Sequence, residues 1–305
     1  MEFKKEGAVM EYVRCNLCNS DCTKTIMKVS GFNVVRCKNC SLAYVNPRLK
    51  EKRLHRIYNK GYFKNPAFKG AKSSFYGYSK YIEEKDCIRS TFKRRLRVID
   101  HLSKKGKLLD IGCAYGFFLE LAKEDGWDAN GLEISKHAYS YARNKLKLRV
   151  KNMPLENAKI KSNSFDVVTL FDVIEHVPDP QSMIKEIKRI VRPNGLVVIT
   201  TPNIGTFAAK VLGDKWEEVR RVREHIYFFS GKTLKSMLER NGFQILRTES
   251  AGRYFHVKSA IERGKFYSKP IFNILERISN GLDLNKKKIW VNPFYKITVY
   301  ARKTE

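Results

Sequence analysis

The run Lys107-Leu108-Leu109-Asp110-Ile111-Gly112-Cys113-Ala114-Tyr115-Gly116 places an acid and then a small residue at every second position behind a short apolar stretch. Leu108 to Ile111 reads as a buried strand, and Phe117 to Ala122 as a helix that starts straight after the turn. A second acid, Glu133, closes the next strand. Strand, small-residue turn, helix and acid are the parts from which a doubly wound α/β sheet builds a nucleoside pocket. Small residues let a ligand approach the backbone, and one carboxylate can accept both hydroxyls of a ribose. The dinucleotide fingerprint requires a glycine three places after the second one; Phe117 stands there, so the spacing excludes it. Each residue also has a purely structural role open to it: Asp110 could cap backbone amides, and Gly116 could permit helix–sheet packing.

A second set of chemistry-bearing residues lies near the start. Of seven cysteines, five fall at positions 15, 18, 22, 37 and 40. Cys15-Asn16-Leu17-Cys18 and Cys37-Lys38-Asn39-Cys40 are two C-x2-C pairs at a spacing that suits a four-thiolate zinc site. Four protein ligands leave no position for water, so Cys15, Cys18, Cys37 and Cys40 predict structural zinc rather than catalytic zinc. Cys22 is a spare that could replace Cys18. Thr25 to Val29 and Phe32 to Arg36 are expected to form the hairpin between the pairs.

These sites need a scaffold, and 305 residues are enough for one large domain and a smaller one. From Lys107 onward strands and helices alternate, which predicts a parallel sheet. Strands are expected at 108–111, 128–132, 148–151, 165–171, 196–200, 243–248 and 297–302, with helices at 136–145, 180–191 and 233–240. The resulting fold class is α/β, a Rossmann-like doubly wound sheet behind a small zinc-knuckle module. Three parts are expected: a zinc module over 1–47, a helical lid or linker over 48–105, and a main domain over 106–305 with an insertion at 252–292. Within the second part, Tyr62, Phe63, Phe68, Phe75, Tyr76 and Tyr78 lie among basic and small residues, as a lid or a packed loop would have them. The amphipathic segment 271–278 is expected to pack on the domain; its basic flank Lys286-Lys287-Lys288 offers contact with an anionic membrane as the alternative.

Sixty Lys and Arg against 31 Asp and Glu give a net charge of +29, which favours polyanions, acidic lipid faces or anionic substrates. No apolar run reaches membrane-spanning length and the start lacks a signal-peptide core, so a cytoplasmic location is expected.

The sequence Asp110-x-Gly112-x-Ala114-x-Gly116 resembles motif I of the class I S-adenosylmethionine (SAM) dependent methyltransferases. Further segments resemble the same family in the right order. These are Phe165-Asp166-Val167-Val168 through Phe171-Asp172-Val173-Ile174-Glu175-His176-Val177-Pro178-Asp179-Pro180, Val191-Arg192-Pro193-Asn194-Gly195-Leu196, Thr200-Thr201-Pro202-Asn203, and Glu224-His225-Ile226-Tyr227-Phe228-Phe229-Ser230. The resemblance covers about 107 to 302 and implies a final antiparallel strand. Methyltransferases preceded by a two-knuckle cysteine module occur in bacterial sugar, polysaccharide and natural-product pathways, which implies a small-molecule, sugar or glycan acceptor.

Carried over residue by residue, the resemblance implies that Asp110, Gly112 and Gly116 shape the pocket for the methionine part of SAM. Cys113 is a small residue of the turn, Glu133 binds the ribose, and Ile134 lies against the adenine. Asn152 and Met153 stand where the family often places an Asp toward the adenine amine. Phe171 and Asp172 border the reactive methyl. Oxygen or carbon methylation needs a general base, for which Glu175, His176, Glu224 and His225 are candidates; His225 with Glu224 is preferred, since an imidazole titrates near neutral pH. The charge suggests two alternatives, a polyanion-binding zinc protein and an enzyme with a nucleic-acid (RNA) acceptor. Against the latter, Phe171-Asp172-Val173-Ile174 carries neither the [ND]-P-P-[YFW] motif of amino-methylating DNA enzymes nor the Pro-Cys nucleophile of cytosine C5 enzymes.

Overall fold

A computed structural model describes residues 10–51, 53–54 and 81–304. The aromatic-basic stretch from Tyr62 to Tyr78 lies outside the described residues.

The first part is built from short strands. β1 (Met10–Glu11) pairs antiparallel with β5 (Arg48–Leu49), while β2 (Thr23–Val29), β3 (Phe32–Cys37) and β4 (Ala43–Val45) form a meander. The expected hairpin between the cysteine pairs is β2–β3, turning at Ser30-Gly31. A helix, α1 (Lys85–Leu102), then leads into the alternating region.

The alternating region runs β6 (Lys107–Ile111), α2 (Phe117–Glu124), β7 (Asp128–Leu132), α3 (Lys136–Ser140), β8 (Arg149–Lys151), β9 (Phe165–Phe171), α4 (Pro180–Ile190) and β10 (Val191–Pro202). It continues with α5 (Phe207–Leu212), β11 (Tyr227–Phe228), α6 (Gly231–Arg240), β12 (Phe243–Ser250), β13 (Arg253–His256), α7 (Val257–Gly264), α8 (Lys269–Gly281), β14 (Lys288–Val291) and β15 (Lys296–Lys303). Seven strands join in the order β12-β15-β10-β9-β6-β7-β8. β6 to β10 are parallel, and β15 runs antiparallel between β10 and β12, as expected of the α/β class.

The strand sequences explain why the sheet is buried on both faces. In β9, Val168 and Leu170 enter a core with Ile184, Ile187 and Ile190 of α4 and Leu234 and Met237 of α6. Val167 points the other way, to Leu96 and Ile99 of α1 and Phe118 and Leu119 of α2. Successive side chains alternate between faces, and helices cover each face, so the strand reads as a continuous apolar run. Helix starts follow their caps: Asp179 accepts from Ser182 N with Pro180 at the first turn, and Ser230 forms a capping box with Thr233.

Two features depart from expectation. β10 begins at Val191, and the Arg192-to-Gly195 turn is absorbed as an irregularity between the registers of Val191 and Leu196. The insertion forms a β13–β14 hairpin around α7 and α8, and α8 does not bury its apolar stripe against the domain. Among its residues only Ser279 is fully buried; Phe272 alone of its large apolar side chains is partly covered, over Gly264.

The cysteine module is stitched to the rest of the chain. β11 pairs with the edge of the meander, Tyr227 opposite Tyr44 and Phe228 opposite Ala43. Arg48 donates to the Pro178 carbonyl and the Tyr227 hydroxyl, so the module grips the loop after β9 and the strand after His225.

Candidate active site

At the carboxyl ends of β6, β7 and β9, where open α/β sheets bind ligands, lies a cavity of about 350 Å³. Asp110, Gly112, Cys113, Glu133, Ile134, Met153, Phe171, Asp172, Glu175, His176 and His225 all border it. Gly116, Asn152 and Glu224 do not.

The turn after β6 is left-handed at three places: Gly112 (φ 72°), Ala114 (φ 49°) and Gly116 (φ 82°). A Cβ on Gly112 would stand 2.6 Å from Val173 Cγ2, so the glycine lets the turn lie against the loop after β9. Gly116 serves packing: a Cβ there would meet Leu148 and Ala142 behind the turn, away from the cavity.

Glu133 is almost fully buried, yet it is an acid. Its Oε2 accepts from Ala114 N at 2.8 Å, and its Oε1 accepts from Ser135 N at 2.7 Å. Each oxygen keeps a second acceptor position, so a ligand with two vicinal hydroxyls could bind it without breaking these bonds. Burial raises its pKa from 4.5 to about 7, with the backbone N–H bonds pulling the other way. Asp110, bonded to Thr169 Oγ1 at 2.6 Å, is likewise raised by burial to about 7. Ile134 is partly exposed at the same rim. The Asn152 amide donates to the carbonyls of Glu133 and Ile134, so it braces the loop that carries the acid rather than facing the cavity. Cys113 is buried and its thiol is pushed well above its ordinary pKa by burial and by Glu133 and Asp110, which makes it a packing residue.

The opposite end of the cavity is strongly polar. Lys296, from the final strand, places Nζ 2.9 Å from Asp172 Oδ1 and 3.6 Å from Glu218 Oε1. Burial opposes its charge, but Asp172 and Glu218 outweigh that and hold it as an ammonium. Asp172 in turn is kept below the usual carboxylate range: burial would raise it, and the Lys296 and Arg95 cations more than offset that. Glu218 is raised by burial, although Lys296 and Arg221 oppose this.

His225 is buried, with Nδ1 3.4 Å from Glu218 Oε2. Burial, together with Arg221, His176 and Lys296 nearby, lowers its pKa well below 6.5, so the ring is neutral. Its carboxylate neighbour is therefore Glu218 and not Glu224, whose side chain turns to Arg221. The backbone of Glu224 takes part instead: His176 Nδ1–H donates to its carbonyl at 2.9 Å, which fixes the tautomer. The His176 and His225 rings meet edge to face at 4.6 Å. Glu175 Oε2 accepts from Thr201 Oγ1, and burial beside Asp172 raises its pKa to about 8.

Several cavity residues were not legible in the sequence, Glu218, Lys296 and Arg95 among them. Glu218 and Lys296 look like surface charges in a basic chain, and only the placement of β15 beside β10 brings Lys296 inward. Arg95 sits on α1, in a run of exposed bases, but its guanidinium lies over the rings of Phe171 (4.9 Å) and Phe92 (5.5 Å) at the cavity wall.

At the other site, the Sγ atoms of Cys15, Cys18, Cys37 and Cys40 converge, with 3.3 Å between Cys15 and Cys40 and 3.5 Å between Cys18 and Cys37. All four are free thiols, and Cys22 is exposed and lies outside the group. Four sulfurs gathered on two turns are a donor set that could hold one tetrahedral metal ion.

The model of a methyltransferase domain matches residues 82–248, more than half of the chain. The chain belongs to this methyltransferase-domain family. It is similar to ubiquinone biosynthesis O-methyltransferases. The one from Aliivibrio fischeri is 30% identical over 152 residues, which cover 45% of this chain and 64% of that protein. The one from Coxiella burnetii is 31% identical over 116 residues, covering 36% and 50%. The chain thus spans less than two thirds of these curated relatives. A putative methyltransferase from Bacillus halodurans superposes with a TM-score of 0.51 at 17% identity, over 71% of this chain and all of that one. A SAM-dependent methyltransferase from Archaeoglobus fulgidus gives 0.50 at 20% identity, over 73% and 99%. Both share the fold.

Proposed function

We propose that the protein transfers a methyl group from SAM to a hydroxyl of a small-molecule or sugar acceptor. The observation that carries this reading is Glu133: a buried carboxylate with two free acceptor positions, fixed by the small-residue turn on the wall of the same cavity that holds Lys296 and His225. Bound SAM supplies an electrophilic methyl on a sulfonium. The residues present suit that donor. Glu133 takes the ribose hydroxyls, Ile134 and Met153 flank the base, Gly112 and Asp110 shape the methionine end, and Arg95 offers N–H donors to a carboxylate.

Phe171 adjoins the polar end, where the acceptor fits beside Asp172. There the neutral His225 accepts a hydrogen bond from the acceptor hydroxyl. A buried imidazole resists keeping a proton, so Glu218, with its raised proton affinity, shares it through Nδ1. Lys296 fixes Asp172 and Glu218 in place and gives an anionic acceptor group a cation to meet. The roles of His176 and Glu224 are to position: one ring and one carbonyl that hold the His225 segment. The O-methyltransferase names of the relatives, and a cavity sized for a small ligand, support a small acceptor over nucleic acid. Zinc on the four cysteines is the structural cofactor of this reading, and 1–47, 48–105 and 106–305 are its working divisions.

Isothermal titration with SAM and S-adenosylhomocysteine tests the donor half, and label transfer from methyl-labelled SAM to an extract of small acceptors tests the rest. Absence of heat with both ligands would sink the reading.

A further inference from the structure

α8 carries an apolar stripe with no partner among the described residues. Ile271, Ile274, Leu275 and Ile278, with Leu282 just past the end of the helix, recur at three- and four-residue spacing, and they are exposed by 58%, 59%, 41%, 51% and 64%. Those spacings put them on one side of the helix. The other side anchors it: Phe272 lies over Gly264, Glu276 pairs with Lys265 at 2.6 Å, and Ser279 bonds Asn285. The stripe is therefore held outward by a fixed base.

We propose that this face docks on an anionic lipid bilayer. The charges around the stripe choose the occupant. Lys269 and Arg277 on the helix, and Lys286 and Lys287 after it, are exposed; the acids nearby are Glu276, already paired with Lys265, and exposed Asp283. An apolar stripe in a basic rim matches the boundary between acyl chains and acidic headgroups, where aliphatic side chains bury and lysines meet phosphate. A second copy of the chain would bring the same basic rim into the interface, on a molecule of net charge +29. Nucleic acid would satisfy the lysines and leave five aliphatic side chains in water. The same insertion supplies Arg253 and Arg263 to the cavity wall, so docking through α8 would set the cavity close to the membrane surface. The proposal does not depend on the methyl-transfer reading.

The test is co-sedimentation of the full chain with vesicles of phosphatidylglycerol and phosphatidylcholine, or of phosphatidylcholine alone. The wild type should partition at least about tenfold better to the anionic vesicles, less so as salt rises. The double variant Ile274→Asn/Ile278→Asn keeps every charge, and its exposed positions spare the fold. It should lose about tenfold in partitioning while its thermal unfolding stays put. Lys286→Glu/Lys287→Glu should lose a similar amount. Equal binding to both vesicle types would overturn the proposal. So would an Asn double variant that pellets like wild type, or a wild-type dimer that this variant dissociates without any vesicle binding.

Discussion

Replacing Glu133 by glutamine separates what this residue does for the ligand from what it does for the fold. The buried carboxyl titrates near 7 instead of 4.5, so above neutral pH the folded apo chain carries about 3 kcal/mol of unfavourable charge burial at this one residue. Its contribution to stability is complete below the ordinary glutamate range and is lost as pH rises through about 7, because folding must then hold a charge that water would solvate. Glutamine removes that term. It also turns one acceptor into an NH2 group facing either Ala114 N–H or Ser135 N–H, which strands a buried donor at about 1–3 kcal/mol. At pH 8 the two effects nearly cancel, and apo stability should change by less than about 2 kcal/mol. Binding has no such compensation. Two ribose hydroxyls on a charged carboxylate contribute about 1.5–3 kcal/mol each, and glutamine keeps at most one good acceptor. The loss of about 2–4 kcal/mol corresponds to a roughly 30- to 1000-fold weaker Kd for S-adenosylhomocysteine. Urea denaturation of the apo protein between pH 5 and pH 8.5 and calorimetric titration at pH 8 measure the two quantities. The pH slope of stability should flatten only in part, since Asp110 is raised in the same direction. Affinity within about threefold of wild type would refute the ribose assignment.

Three further outcomes are expected. Gly112→Ala forces a Cβ into a left-handed turn at 2.6 Å from Val173, so it should cost about 2–4 kcal/mol in urea denaturation and weaken SAM titration in parallel. Lys296→Met leaves Asp172 and Glu218 facing each other in a buried site; stability should drop by about 3–5 kcal/mol near neutral pH. That deficit should shrink on acidification, because the wild-type gain at Asp172 exists above the ordinary aspartate pKa and fades as pH falls through the depressed one. Cys40→Ser, or chelation, should remove zinc measurable by elemental analysis and loosen the meander whose β4 holds Tyr227-Phe228 two residues past His225. Turnover of the acceptor should fall about tenfold or more while S-adenosylhomocysteine affinity stays within about threefold.

What could be read from the sequence divides along a physical line. Strand positions, the hairpin between the cysteine pairs and the acid Glu133 follow from local rules: apolar runs, C-x2-C turns and small residues at a strand end. The polar end of the cavity obeys no local rule. Lys296 is one lysine among many until β15 inserts between β10 and β12, and Glu218 comes within 3.4 Å of His225 only because the chain turns at Gly213–Lys215 and Val219–Arg221 on its way along the cavity wall. The adjacent Glu224 was the natural candidate on spacing alone, and neighbours in sequence rarely face the same way outside a regular element. Arg221 draws its carboxylate aside and leaves its carbonyl to His176. Periodicity revealed an amphipathic helix, α8, but cannot say which surface covers its apolar side, and Phe272, Glu276 and Ser279 anchor it to other parts of the same insertion. Chemistry that is built from one segment is visible in the sequence, whereas chemistry assembled from β9, the 217–225 turn and β15 becomes visible only when the sheet order is known.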